Sequence, residues 1–265
     1  MKLIKQIPNL LTLCNLVLGC IGILYAFDER YFLMVKGQHG IYQTYEISNR
    51  LFTSGACIMI AAVIDFLDGF VARALNAKSE IGKQLDSLAD MVTFGVLPAI
   101  IFYQLLERSY FMESGSLYTS KLFMLPALLI AIAACWRLAK FNIDPRQHES
   151  FIGLPSPANA LFAASLPFIY IANDFGLGNL LINKWVLYGL IILFSWLMVS
   201  EIKMFSLKIK SWGWRGNEWE VTFVLLSLAL IFFLHFTGLA AVILFYIVLS
   251  IIKNFIPQTE NKISD

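Results

Sequence analysis

The sequence predicts an all-α protein that is embedded in a membrane. Of its 265 residues, 58% are hydrophobic and only 14% are charged, whereas soluble domains usually carry about 25% charged residues. Apolar runs of about 20 residues, the length that an α-helix needs to cross a bilayer, recur along the whole chain with short polar interruptions. A soluble core cannot absorb this excess of apolar side chains, so the surrounding solvent is lipid.

Eight apolar segments are candidates for membrane-spanning helices. The first follows Lys2 and Lys5, as a secretory signal would, but it lacks a small-residue cleavage site and is therefore kept as a span. The last two are separated by little more than Thr237 and Gly238, which favours a tight helical hairpin over one kinked element. No stretch is long or polar enough for a separate soluble domain. The eight spans are residues 8–26, 50–75, 83–107, 121–142, 157–174, 184–204, 219–235 and 237–256.

The distribution of positive charge predicts how the chain is oriented. Lysine and arginine are enriched in short loops on the cytoplasmic side of a membrane. If the N-terminus is inside, fourteen of the 20 lysines and arginines fall on the cytoplasmic side. We therefore expect a multi-pass protein of the cell membrane with both termini in the cytoplasm.

Four aspartates occur in the second and third spans. Asp65 and Asp68 are three residues apart, and Asp86 and Asp90 are four apart, so each pair lies on one face of its helix. Ionisable side chains are costly inside a membrane and are functional candidates by default. If the two faces are turned toward each other, they form an acidic pocket near the cytoplasmic surface.

Four neighbouring carboxylates repel one another strongly and cannot all stay ionised without positive charge among them. Two explanations are economical: bound divalent cations, or protons shared between the carboxylates. All-oxygen ligands favour magnesium, manganese or calcium over zinc or copper, and magnesium is the usual ion when a substrate brings phosphates. The four cysteines lie in apolar segments without a Cys-x-x-Cys pair, so they do not indicate zinc.

The residues between the two aspartate pairs indicate a phosphate ligand. Gly69 and Ala72 remove side-chain bulk beside the carboxylates, so a large ligand or a neighbouring helix can approach the backbone there. Arg73 lies toward the cytoplasmic end of its helix and offers a fork of donors that suits phosphate. Gly82 and Lys83 begin the third span, and the backbone amides at a helix N-terminus favour anions.

The spacing D-x-x-D-G-x-x-A-R-x8-G-x3-D-x3-D, which runs from Asp65 to Asp90, resembles the signature of the CDP-alcohol phosphatidyltransferase family. The resemblance implies a membrane domain with a core of six helices, here residues 1–205. Residues 206–265 would then form about two additional C-terminal helices of the same domain. It also implies a metal-dependent enzyme that transfers a phosphatidyl or similar group from a CDP-linked donor to an alcohol and releases CMP.

The same resemblance implies roles for individual residues. Asp65, Asp68 and Asp86 would be ligands of two Mg²⁺ or Mn²⁺ ions, and Asp90 would be both a ligand and the general base. Asn9 and Thr12, which lie in the N-terminal segment 7–15, have a second interpretation, namely that they cap the first helix. The predicted residues for binding the CDP-linked lipid are Asn9, Thr12, Gly69, Arg73, Gly82 and Lys83.

Three further segments, residues 7–15, 136–142 and 151–159, resemble segments of bacterial and archaeal phosphatidylserine synthases. They make CDP-diacylglycerol the expected donor and L-serine the leading acceptor, with glycerol 3-phosphate or inositol phosphate as alternatives. The predicted acceptor-binding residues are Arg137, Asn142 and Asn159. Arg137 has a second interpretation, in which it only extends to lipid headgroups. Enzymes of the family are often dimers, so a homodimer is compatible with the resemblance, and no nucleic-acid partner is indicated.

A secondary transporter is the alternative from a different class of protein, because polar residues in membrane helices also mark translocation paths. A transporter would show inverted repeats and carboxylates near the middle of the bilayer. Here the aspartates cluster toward one face and no repeat is evident. The sequence therefore favours an enzyme.

Overall fold

The structure is a computed structural model, and it describes residues 6–28, 35–36, 42–43, 50–77, 79–114, 119–144, 151–204 and 218–255. Its regular elements are almost entirely helical, which confirms the all-α fold class. Two β pairs occur as well, each only two residues long. In chain order the helices and strands are α1 (Ile7–Phe27), β1 (Val35–Lys36), β2 (Tyr42–Gln43), α2 (Arg50–Ala74), α3 (Glu80–Asp90), α4 (Leu97–Ser114), α5 (Leu128–Ile143), β3 (Phe151–Ile152), α6 (Ser156–Ala172), α7 (Leu177–Leu181), α8 (Lys184–Val199), β4 (Lys203–Met204) and α9 (Glu218–Phe255).

Within these ranges, five helical segments are long and apolar enough to cross a membrane. A bent pair, α6 with α7, makes a sixth, and α8 is a shorter apolar helix. The bend follows Asn173, whose left-handed backbone conformation ends α6. The chain is therefore an integral membrane protein. Several basic residues behind the predicted orientation, among them Lys2, Lys5 and Lys78, lie outside the described residues.

The second and third spans carry the aspartates and differ in regularity. α2 is one continuous helix, whereas α3 and α4 are joined by a π-helical segment, Met91–Val96. Ser79 caps α3, because its Oγ accepts a hydrogen bond of 3.0 Å from the Gly82 amide. The π segment begins directly after Asp90, and such local changes of helical register often occur at functional sites. The observed helical segment, Glu80–Glu113, is thus longer than the predicted span 83–107, and its helical geometry is irregular next to Asp90.

Small residues bring α1 close to its neighbours. A side chain at Gly19 would collide with Thr93 in the π segment, and the Thr93 hydroxyl donates a 3.1 Å hydrogen bond to the Asn15 carbonyl. On α2, the Ser54 hydroxyl donates to the Gly22 carbonyl at 2.8 Å. Close backbone approach of this kind is the usual basis of helix packing in membranes. It places the polar residues of α1 against the aspartate-bearing helices.

The predicted sixth span, 184–204, is too long at its C-terminal end. α8 ends at Val199 because Ser200 is extended and the chain then forms β4, which pairs with β3. Gly153 follows β3 with a φ of +74°, and a Cβ there would lie 2.5 Å from the Met198 carbonyl oxygen. Its amide donates to the Ile202 carbonyl at 2.8 Å. The turn before α6 is therefore fixed against the end of α8, and it sets the position of the first turn of α6.

The C-terminal apolar region forms a hairpin, as the sequence favoured. Helical geometry in α9 breaks at His235, which has a φ of 50° and a ψ of −124°. The Phe223 ring stacks on Phe245 with centroids 5.7 Å apart, and Lys253 Nζ lies 4.0 Å from Glu220 Oε1. Residues this far apart in one helix meet only if the chain reverses direction between them.

Candidate active site

Three of the four predicted aspartates form a compact carboxylate group. Asp65 and Asp68 project from α2 and Asp86 from α3, and one carboxylate oxygen of each lies within 4.8 Å of the others. Asp68 is buried, and the other two are half-buried. The two helix faces inferred from the residue spacing are thus turned toward each other.

Asp90 adjoins this group at the end of α3. Its carboxyl is close enough to that of Asp65 for the two to interact electrostatically, and its side chain is only 9% exposed. Its Oδ1 accepts a 3.3 Å hydrogen bond from Asn15 Nδ2. An amide of α1 therefore holds Asp90 beside a second aspartate.

Helix α1 supplies hydrogen-bond donors to the carboxylates. The Thr12 hydroxyl lies 2.6 Å from Asp68 Oδ2, a short bond of the kind that charged acceptors form. Asn15, three residues further along the same face, is fully buried, and its Oδ1 has no protein partner. The sequence analysis did not select Asn15 as a site residue. The signal that could have found it is its position one helical turn after Thr12 in an otherwise apolar segment.

The residues predicted to bind phosphate gather at the start of α3. Asn9 does not cap α1, because no side chain caps this helix and Asn9 Nδ2 donates to Gln6 Oε1 at 2.9 Å. Asn9 Oδ1 lies close to Gly82, since a Cβ added to Gly82 would be only 3.0 Å from this oxygen. A Cβ at Gly69 would instead meet no atom within 4 Å, which leaves open space beside the aspartates. Arg73 is exposed at the end of α2.

Asn142, which was predicted to bind the acceptor, joins α5 to α3. Its Nδ2 donates to Ser87 Oγ at 2.8 Å, and its backbone carbonyl accepts a 3.2 Å hydrogen bond from Lys83 Nζ. Asn142 Oδ1 is buried without a protein partner. The structure thus brings Asn142 together with Lys83, one of the residues predicted to bind the donor lipid.

Arg137 and Asn159 form a buried polar group between α5 and α6. Arg137 is 6% exposed, donates from Nη1 to Ser156 Oγ at 3.2 Å and interacts electrostatically with Asp90. The interpretation of Arg137 as a residue that only extends to lipid headgroups is therefore wrong. Asn159 is fully buried, and neither its amide nitrogen nor its oxygen has a protein partner. Because an unpaired buried amide is costly, a further polar partner is expected there.

The donor set of the carboxylate group fits a divalent cation. Three carboxylates from two helices converge, and oxygen is the ligand that hard cations such as Mg²⁺ and Mn²⁺ prefer. Across the described part of the chain, no lysine, arginine or histidine forms an ion pair with any of the four aspartates. Among the residues that the structure describes, no basic side chain therefore neutralises these carboxylates through an ion pair.

Comparison with known families agrees with this chemistry. A family model described as CDP-alcohol phosphatidyltransferase matches residues 5–201 of the chain. The chain belongs to the CDP-alcohol phosphatidyltransferase family. It is accordingly a transferase, and this family is generally dependent on divalent metal. The matched range contains the four aspartates, the polar residues of α1 and the group around Arg137 and Asn159.

Several curated relatives of this CDP-alcohol phosphatidyltransferase carry one name, CDP-diacylglycerol–serine O-phosphatidyltransferase. The protein of that name from Helicobacter pylori (strain J99) is 29% identical over 250 residues, which cover 93% of this chain and 90% of the relative. The one from Bacillus subtilis (strain 168) is 38% identical over 147 residues, covering 55% and 71%. The one from Methanocaldococcus jannaschii is 34% identical over 153 residues, covering 58% and 64%.

Proposed function

We propose that this protein is a CDP-diacylglycerol–serine O-phosphatidyltransferase, which transfers a phosphatidyl group to L-serine and gives phosphatidylserine and CMP. The observation that carries the reaction type is the convergence of Asp65, Asp68 and Asp86 beside a fourth buried carboxyl, Asp90. The shared name of the relatives supports serine as the acceptor. Glycerol 3-phosphate and inositol phosphate are the alternative acceptors.

In this proposal, Asp65, Asp68 and Asp86 hold two Mg²⁺ or Mn²⁺ ions, and Asp90 completes the ligand set. When bound, such ions supply the positive charge that a pyrophosphate needs during an in-line displacement. The serine hydroxyl oxygen forms a bond to the phosphatidyl phosphorus, and the bond from that phosphorus to the oxygen of CMP breaks. Asp90 accepts the hydroxyl proton, and Asn15 holds the Asp90 carboxylate in the orientation this transfer needs.

The donor lipid would bind across α1, the end of α2 and the start of α3. Asn9, Gly82 and the open space at Gly69 provide room and backbone donors for the diphosphate. Arg73 and Lys83 are exposed at the same end of their helices and offer positive charge to it. Thr12 acts on this site through Asp68, to which it donates.

The acceptor would bind beside Arg137, Asn159 and Asn142. Serine carries one carboxylate, which matches the single positive charge that Arg137 offers near Asp90. The unpartnered amide of Asn159 can both donate to the carboxylate and accept from the ammonium group of serine. Asn142 presents its unpartnered Oδ1 at the boundary between the donor and acceptor sides.

The proposal also covers the orientation of the chain in the membrane and its domain organisation. Both termini and the site face the cytoplasm, residues 1–205 form the six-helix core, and residues 206–265 add C-terminal helices to it. The donor lipid then enters from the bilayer and serine from the cytosol. A homodimer is the assembly that the family resemblance suggests.

An acceptor panel tests the proposed function. Purified protein is incubated with labelled CDP-diacylglycerol, Mg²⁺ or Mn²⁺, and one alcohol at a time: L-serine, glycerol 3-phosphate or inositol phosphate. Label is expected in phosphatidylserine, at a rate at least about tenfold above the other two products, because one buried charged contact contributes roughly that much discrimination. A larger product signal with either phosphorylated acceptor would contradict serine as the substrate.

Replacing Asn159 by alanine is expected to raise the KM for serine by about 10- to 100-fold, the cost of losing hydrogen bonds to a charged ligand. The KM for CDP-diacylglycerol should change less than about twofold, since Asn159 lies on the acceptor side. Ser165→Ala is the matched control on the same helix: Ser165 is equally buried, but its hydroxyl donates to the Phe162 carbonyl at 2.6 Å. An equal rise of both KM values in Asn159→Ala would contradict the assignment.

A further inference from the structure

A cavity of about 320 Å³ opens between the C-terminal end of α4, α7 and the first turn of α8. This volume is at the lower end of the range of about 300–1,000 Å³ that small-molecule sites occupy. None of the lining residues belongs to the carboxylate group or to the residues proposed to bind the donor or the acceptor. The cavity is therefore distinct from the candidate active site. Its polar lining residues are Ser109, Glu113, Asn179, Asn183 and Lys184.

The cavity lies about one bilayer thickness away from the aspartates. α3, the π segment and α4 form one apolar segment, Glu80–Glu113. Glu113 lines the cavity and follows Asp90 by 23 residues, which is roughly 35 Å of helix at 1.5 Å per residue. The hydrocarbon core of a bilayer is about 30 Å thick. The cavity thus faces the headgroups of the leaflet opposite to the one that adjoins the aspartates.

The lining of the cavity is amphipathic. Trp185 lines it and is 72% exposed, and tryptophan is enriched where a helix passes from the hydrocarbon to the headgroups. Met112 and Ile182 are the other apolar lining residues. A ligand in this cavity therefore contacts apolar as well as polar side chains, as the headgroup and glycerol of a lipid do.

Lys184 and Glu113 place opposite charges on the cavity wall. Lys184 Nζ lies 2.6 Å from Glu113 Oε2, and the two side chains are 19% and 58% exposed. The ammonium is also 5.0 Å from the centroid of the Tyr110 ring. The Tyr110 hydroxyl lies 3.0 Å from that of Tyr188, which donates to the Phe123 carbonyl at 2.6 Å. Lys184 is thus restrained before a ligand binds, which reduces the entropy lost on binding.

The charges of this pair decide which ligand fits the cavity. A partly exposed ion pair stabilises a protein only weakly, so a ligand can replace it. A phosphate bound to Lys184 alone would be repelled by Glu113 and would leave that carboxylate without its partner. A ligand with both a phosphate and a primary ammonium replaces both partners, because its phosphate accepts from Lys184 and its ammonium donates to Glu113.

We propose that this cavity binds the headgroup of a phospholipid that carries a primary ammonium, in the leaflet opposite to the candidate active site. A phosphate ester with an ammonium also exists in soluble form, as glycerophosphoethanolamine. The apolar lining residues and the position at the membrane surface favour the lipid. The proposal goes beyond the proposed function, since none of the lining residues takes part in the transfer.

The thermal stability of the full-length protein in detergent micelles tests the proposal. A ligand that binds only the folded protein raises the thermal midpoint with its concentration, which gives an apparent Kd. Phosphatidylethanolamine is expected to bind at least about tenfold more tightly than phosphatidylcholine, whose quaternary ammonium has no N–H to donate to Glu113. It should exceed the anionic phosphatidylglycerol by a similar factor, because Glu113 repels the net charge. Soluble glycerophosphoethanolamine should bind at least about tenfold more weakly, since it lacks the apolar contacts.

Two substitutions separate the two charges of the pair. Glu113→Gln removes the partner of the ammonium, so the preference for phosphatidylethanolamine over phosphatidylcholine should disappear, and phosphatidylglycerol should bind at least as tightly as either. Lys184→Gln removes the partner of the phosphate and should weaken the binding of all three lipids about tenfold. Lys140→Gln and Glu201→Gln are the matched controls, since this ion pair has a distance of 3.0 Å, is 31% and 69% exposed and lies beyond the other end of α8. Both controls should bind lipids as the wild type does.

The proposal is overturned if the wild type does not prefer phosphatidylethanolamine to phosphatidylcholine. It is equally overturned if Glu113→Gln keeps this preference in full, because the lipid then binds elsewhere, for instance at the candidate active site. Equal affinity of the wild type for phosphatidylethanolamine and glycerophosphoethanolamine would overturn the lipid as the occupant. The measurement involves no turnover, so its result is independent of the proposed function.

Discussion

Asp90→Asn is expected to lower the rate of CMP release from CDP-diacylglycerol and serine by at least about a thousandfold, within the range that general base catalysis contributes. The substitution keeps the size of the side chain, and the amide oxygen of asparagine can still accept from Asn15 Nδ2. It removes the carboxylate that would take the proton of the serine hydroxyl. The expected loss is therefore in kcat, with folding preserved.

The measurement is CMP release by purified protein in mixed micelles, together with a thermal unfolding curve of the same sample. Asp174→Asn is the control, since Asp174 lies beyond the C-terminal end of α6 and does not belong to the carboxylate group. It should retain wild-type activity. If Asp90→Asn releases CMP as fast as the wild type, Asp90 is not the general base.

Asp86→Asn is expected to abolish metal-dependent activity, with a loss of at least about a hundredfold, because even partners of metal ligands typically contribute 10- to 100-fold. The substitution should also change the thermal stability, which an activity assay does not measure. The thermal midpoint in the presence of chelator should not fall and is expected to rise, since one of several repelling carboxylates is removed from a half-buried group.

The thermal midpoint measured as a function of Mg²⁺ or Mn²⁺ concentration separates these effects. A cation that binds only the folded state stabilises it, so the wild-type midpoint should rise with metal concentration. In Asp86→Asn this rise should be absent or shifted to much higher concentration, whereas Asp174→Asn should respond as the wild type. A metal-dependent rise in Asp86→Asn that matches the wild type would show that Asp86 does not hold the ion.

Much of the site could be predicted because its residues are close in sequence. Asp65 and Asp68 share one helix and Asp86 another, so helical periodicity alone placed each set on one face. The long apolar runs likewise predicted the helices, and the near absence of spacing between the last two predicted the hairpin. These inferences depend on local geometry, which the sequence displays directly.

Other features depend on contacts between distant segments. Asn15 meets Asp90 only because Gly19 lets α1 approach the π segment, and Phe236 meets Phe168 only because the hairpin packs on α6. α8 ends early because β4 pairs with β3, a pairing of two residues that leaves no pattern in the sequence. Asn142 contacts Ser87 and Lys83 through the packing of two helices that are not adjacent in the chain.

The central claim is that the hydroxyl oxygen of serine attacks the phosphatidyl phosphorus of CDP-diacylglycerol. The most direct test uses serine with a heavy-oxygen label in its hydroxyl group and mass spectrometry of both products formed by the purified protein with Mg²⁺ or Mn²⁺. We expect the label in phosphatidylserine, unlabelled CMP, and equal amounts of the two. Label in CMP, or CMP released at the same rate without serine, would contradict the account.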